Sequence, residues 1–162
     1  MGNLLAVQTQ YNTMEELKTA TGLSDPFVLF DSEVSDLSER EIDAKIKGRN
    51  RVMVVLAAEN HFFGLYTSKQ MDVKNMKFLW TLSNDKASFF FHVLPNGKLI
   101  SKNKDFDLNI NPIQNRLSFG FGSSTFELKM DGEGNIGPEI GYMSSEYQIT
   151  STIGRLIFLQ WR

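Results

Sequence analysis

The sequence predicts an α+β fold in which two antiparallel β-sheets pack as a sandwich with flanking short helices. Three observations lead there. Most of the chain divides into short segments rich in β-branched and aromatic residues, only two segments carry helix-capping signals, and turn residues separate many neighbouring strand segments. Strands joined by short turns pair antiparallel, because a parallel pair needs a crossover of about a dozen residues or more. A continuous apolar run such as VMVVLAA at 52–58 marks a strand covered on both faces.

Taken in order, Thr13 and Glu16 form a capping box, and Gly22 supplies a left-handed stop, so a helix is expected over 14–21. FVLF at 27–30 reads as a strand. Ser38 and Glu41 repeat the capping box, Ile42 and Ile46 lie four apart on one face, and Gly48 closes a second helix whose opposite face is charged. Strands follow at 51–57, 61–67, 78–83, 88–94, 98–101, 116–121, 124–130 and 155–161, with turn signals at 59–60, 84–85, 95–97 and 131–132. The first dozen residues and the Asn- and Lys-rich stretch 101–115 are expected to be the least ordered, and 131–137 is expected to be a loop.

A length of 162 residues suits a single domain spanning 1–162. Seventeen basic against nineteen acidic side chains leave a net charge of -2, so no global field attracts nucleic acid or an anionic membrane. The chain has no cysteine, which excludes disulfides, thiolate chemistry and Cys-ligated metals. Its apolar runs are far shorter than the ~20 residues of a membrane helix. The opening MGNLLA offers Gly2 for myristoylation, but Ala6 stands where Ser or Thr is preferred.

The stretch RLSFGFGSSTFELKMDGEGNIG at 116–137 invites a nucleotide or calcium reading, and neither holds. Thr125 replaces the third glycine of a dinucleotide fingerprint after Gly120 and Gly122, and the following STFELKM alternates like a strand. Asp131, Glu133 and Asn135 match alternate calcium ligands, but Ile136 occupies the glycine position and Tyr142 replaces the closing glutamate. His61 and His92 sit in strand-like aromatic runs without a nucleophile beside them, so no catalytic residue is assigned and no cofactor or metal is implied. Asp31, Glu33, Asp36, Glu39 and Glu41 form an acidic loop running into the start of the second helix, where capping and the helix dipole account for them. For nucleic acid the best local material is Lys45, Lys47, Arg49 and Arg51, followed by Lys98, Lys102 and Lys104.

The order of several motifs resembles the TLDc domain family, over about 27–162. These are a strand ending in Phe30-Asp31-Ser32, the strand Phe63-Gly64-Leu65-Tyr66-Thr67-Ser68, Phe78-Leu79-Trp80-Thr81-Leu82, a glycine-marked strand at Gly120, and a terminal Trp161. The chain resembles a divergent member. The resemblance implies a β-sandwich flanked by helices, no catalytic centre, and a cytoplasmic role in oxidative-stress response through a protein partner, with the cytosolic sector of the V-type ATPase as a candidate. It assigns structural roles to Asp31 and Ser32 as a turn bonding its own backbone, to Gly64 and Gly120 as points of close backbone approach or bulging, to Tyr66 as part of the signature strand, and to Trp161 as a core anchor. The alternative is a stress-responsive regulator, nuclear or cytoplasmic, binding DNA or RNA through Lys45, Lys47, Arg49 and Arg51. The seven methionines read as gap-fillers rather than oxidant scavengers.

Overall fold

The computed structural model describes residues 14–58, 61–71, 80–82, 87–93, 99–102, 108–113, 116–121, 124–131, 133, 135–143 and 148–162. Helix α1 (14–21) ends at Gly22, whose φ of +70° is left-handed and whose N–H donates to the Lys18 carbonyl at 3.0 Å. The Thr13 cap, the turns at 59–60, 84–85, 95–97 and Gly132, and the first dozen residues lie outside the described residues. Strand β1 (Pro26–Asp31) leads by an acidic turn into helix α2 (Glu39–Ile46). Ser38 is extended there, and its Oγ accepts from the Glu41 N–H at 3.3 Å as an N-cap, whereas its own N–H donates to the Asp36 carbonyl at 2.9 Å rather than to Glu41, so half of the capping box forms. Ile42 and Ile46 are fully buried, and Gly48 (φ +76°) donates to the Met71 carbonyl. Replacing Ser38 with alanine is expected to cost about 1 kcal/mol, read as a lower urea midpoint at unchanged m-value.

The remaining strands are β2 (Val52–Ala58), β3 (His61–Thr67), β4 (Trp80–Leu82), β5 (Phe89–Val93), β6 (Leu99–Lys102), β7 (Leu108–Ile113), β8 (Arg116–Phe121), β9 (Ser124–Met130), β10 (Ile136–Met143) and β11 (Gln148–Trp161). They hydrogen-bond in the order β4-β7-β8-β9-β10-β11-β2-β3-β5-β6, every pair antiparallel, and β1 adds to β11. The long β11 joins two sheets. Its first part, Gln148–Thr152, pairs with β10, whereas Ile153–Gln160 pairs with β2. The register shifts between Ile153 and Arg155, and a bulge at the intervening Gly154 raises the local twist where the strand passes from one sheet to the other.

The two sheets face each other as a sandwich. Phe63, Phe90 and His92 of the β2–β3–β5 layer surround the Tyr142 ring of β10 at centroid separations of 4.9, 5.5 and 5.4 Å. Val54, Leu56, Leu65, Leu128, Ile140, Leu156 and Phe158 complete this inner core, and the Ile42/Ile46 face of α2 joins it. A second cluster lies on the outer face of the β1–β11–β2–β3–β5 layer, where Met53, Tyr66, Phe89, Phe91, Leu159 and Trp161 pack under Leu17 of α1. Period-two alternation along β2 and β3 produces the division: Val54 and Leu56 point inward, Met53 and Val55 outward.

Three segments depart from the expectations. The loop expected to run to Gly137 is shorter, because β10 begins at Ile136. The weakly ordered stretch expected at 101–115 contains the end of β6 and all of β7, the latter paired with both β4 and β8. The closing strand is about twice as long as expected, because it serves both sheets.

Candidate functional site

Asp31, the last residue of β1, and Ser32, just beyond it, bind β11 rather than forming only a self-bonded turn. Asp31 Oδ1 does accept from the Glu33 N–H at 3.0 Å, as an Asx turn should. The same carboxylate also accepts from Arg155, by Nε to Oδ1 at 2.9 Å and by Nη2 to Oδ2, a two-pronged pair. The Ser32 N–H donates to the Leu156 carbonyl at 3.0 Å, and its Oγ accepts from the Leu156 N–H at 2.9 Å. The Arg155 guanidinium holds the Asp31 carboxyl below the usual carboxylate range, aided by the Glu33 N–H and opposed by burial, and Asp31 in turn raises Arg155. Glu33 adds a longer ion pair to Arg155 at 3.6 Å. Capping and the helix dipole therefore do not account for Asp31, whose partner lies 124 positions away in the chain.

Gly64 and Trp161 sit on the outer face of the same sheet. A side chain at Gly64 would meet the Val54 carbonyl oxygen and the Phe91 ring, so the close backbone approach expected there is present. Tyr66, two residues on, is buried with its ring 5.3 Å from that of Phe89. Trp161 is fully buried and donates its backbone N–H to the Arg51 carbonyl at 3.0 Å, while its Nε1 has no hydrogen-bond partner among the described residues. Gly120 stands apart, in the other sheet, and pairs in unbroken register with Asn109 and Thr125. No bulge forms there. Gly122 lies outside the described residues.

Lys45, Lys47, Arg49 and Arg51 are all exposed, along the end of α2 and the turn into β2. Arg51 is left-handed (φ 53°) and precedes β2 rather than belonging to it. Arg49 Nη1 reaches Gln160 Oε1 at 3.4 Å. Below them, burial pushes the Asp43 carboxyl up, with Lys47 pulling the other way.

The Asp131 carboxylate is taken by its own loop, accepting from the N–H groups of Glu133 (2.8 Å) and Asn135 (3.0 Å) and from Asn135 Nδ2 (3.0 Å). That is turn geometry. Among the described residues, no group of three or more His, Asp or Glu side chains is placed to hold a metal ion. His92 is buried with its ring stacked on Phe63 at 4.4 Å, so it faces the sandwich core rather than a cleft. Among the described residues no helix is long and apolar enough to cross a membrane.

A concavity lined by described residues is instead apolar. A cavity of about 290 Å³ opens between α1 and the outer face of the first sheet, walled by Met14, Leu17, Val28, Val55, Ala57, Phe62, Ile157 and Leu159, with Arg155 as the polar member among the described residues that line it. Sequence reading names neither Arg155 nor this cavity. The alternation in RLIFLQW does place Arg155, Ile157 and Leu159 on one face, but which face remains uncovered depends on where α1 ends. The chain matches no protein-family model and no curated protein.

Proposed function

We propose that the chain is a non-catalytic, TLDc-like interaction domain that acts in oxidative-stress response by binding a protein partner, with the cytosolic sector of the V-type ATPase as the candidate. The observation that carries this reading is the use to which the chemistry-bearing side chains are put. Asp31, Ser32 and Asp131 are committed to holding backbone and strands together, and His92 is stacked within the core. The open concavity is apolar, which suits binding better than acid–base or nucleophilic chemistry. Affinity capture with the tagged chain, from native cells with and without peroxide, tests the reading. Recovery of V-type ATPase cytosolic subunits is expected, and turnover of a small substrate with no captured partner would remove it.

A second reading is favoured by the exposure of all four of Lys45, Lys47, Arg49 and Arg51. It makes the chain a regulator that grips nucleic-acid phosphates through that edge. Under the first reading, a gel shift with DNA or RNA is weak, and the triple change of Lys47, Arg49 and Arg51 to alanine leaves it unaltered. A salt-sensitive shift that the triple variant abolishes would reverse the order of the two readings.

A further inference from the structure

We propose that the cavity beneath α1 is where the protein partner docks, taking one large apolar side chain from a segment that also carries a basic residue. This rests on the interaction reading above and names the site and the chemistry of the partner.

The shape argues for a single anchor. Ala57 lies between Phe62 of β3 and Arg155 of β11 in one row across the sheet, so the small side chain leaves a depression between two large ones. Val28, 55% exposed, forms its outer lip. A volume of about 290 Å³ lies at the lower end for ligand pockets and suits one aromatic or long aliphatic side chain. Interfaces concentrate their energy in anchors of this kind, a large side chain filling a desolvated pocket.

The charges paired with Arg155, on the wall of the cavity, argue for the basic neighbour. Among the described residues that line the cavity, Arg155 is the one cation, and both Asp31 and Glu33 face it, leaving one carboxylate in excess. Asp31 holds the guanidinium at two points, whereas Glu33 is 61% exposed and 3.6 Å away. Glu33 is therefore the carboxylate free to exchange partners. On α1 the exposed pair Glu15–Lys18 is self-compensated and adds no net charge. An arginine or lysine beside the anchor finds a complementary rim, and an acidic neighbour meets repulsion.

The test is an amide NMR titration of the full chain with two blocked tetrapeptides, acetyl-Arg-Phe-Leu-Arg-amide and its charge-reversed form acetyl-Glu-Phe-Leu-Glu-amide. The basic peptide is expected to shift the amides of Ala57, Arg155 and Ile157 and to bind about fivefold or more tighter than the acidic one. Ala57→Trp, which fills the depression, should remove those shifts, and Glu33→Lys should invert the preference. If Ala57→Trp does not fold, Val28→Lys at the exposed lip serves instead. Equal affinity for the two peptides, or shifts confined to other surfaces, would overturn the proposal. So would saturable uptake of 1-decanol at the cavity with no response to either peptide, or a wild-type dimer that these variants dissociate. An Ala57→Trp chain that captures the same cellular partners as wild type overturns the cavity assignment and leaves the interaction reading standing. Selective peptide binding at the cavity, with no partner captured by the wild-type chain, overturns the interaction reading and supports the cavity.

Discussion

Gly64→Ala is expected to destabilise the protein by about 3 kcal/mol or more, the upper range for overpacking a core. Gly64 lies mid-strand in β3, opposite Val55 on one side and Phe91 on the other. A methyl group there collides with the Val54 carbonyl oxygen and with Phe91 Cζ, and it lies 2.7 Å from Phe91 Cε1. A ring can swing aside. A carbonyl in the middle of a paired strand moves only if the strand moves, and β2 and β3 are held in register from Val52↔Thr67 to Ala58↔His61. Phe91 in turn belongs to the cluster under Leu17 and Trp161, so its displacement loosens the seat of α1. At ~2–4 °C per kcal/mol for a chain of this size, the melting temperature should fall by about 10 °C. Gly141→Ala is the control, because a methyl there meets nothing within 4 Å, and it should change stability by less than about 0.5 kcal/mol. Equal midpoints for the two variants in urea would refute close packing as the reason for glycine at position 64.

The parts of the fold that were legible in the sequence are those where local chemistry and tertiary packing agree. β3, β8 and β9 appear at the expected residues, because their apolar and aromatic content is uninterrupted by proline. α2 appears because Ser38, Glu41 and the Ile42/Ile46 spacing each specify it locally. β10 was not legible, since IGPEIGYM carries two glycines and a proline in eight residues. The strand tolerates them through a register shift between Ile136 and Ile140, on the stretch that contains Gly137 and Pro138. β7, LNINPI, alternates like a strand, but its asparagines and Pro112 read as loop until the neighbouring strands are known. Of the candidate site, Asp31 was legible and its partner was not, because a pair 124 residues apart leaves no local signal. The cavity is likewise a property of five elements, α1, β1, β2, β3 and β11, meeting over a small side chain, Ala57, which no motif marks.

Asp31→Asn should weaken the fold by about 2 kcal/mol at neutral pH, since hydrogen bonds to a charged group contribute ~1.5–3 kcal/mol and Arg155 is partly solvated. The Asp31 side chain is only 10% exposed, against 39% for Arg155, so the carboxylate is the member that loses its solvent on folding. Asparagine keeps the shape and one acceptor but no longer matches the guanidinium fork. The pH dependence gives the sharper test. The folded-state pKa of Asp31 lies below its ordinary value, chiefly through the Arg155 hydrogen bonds. The unfolded chain therefore binds the proton first as pH falls. The stabilisation is complete above the unfolded value of ~3.9 and is lost as pH drops through the folded value. Wild type should lose stability across that acid range faster than Asp31→Asn, so the two curves of unfolding free energy converge there. A double-mutant cycle with Arg155→Met should show a coupling of about 1–2 kcal/mol at pH 7 that disappears in acid, because protonating the carboxylate removes the charge on which the pairing depends. Glu33 cannot substitute for Asp31, because its 3.6 Å contact is mostly solvated and of the kind that contributes less than ~1 kcal/mol. Parallel curves would mean that β1 is held to β11 by the Ser32–Leu156 bonds and the strand register alone, with the ion pair incidental.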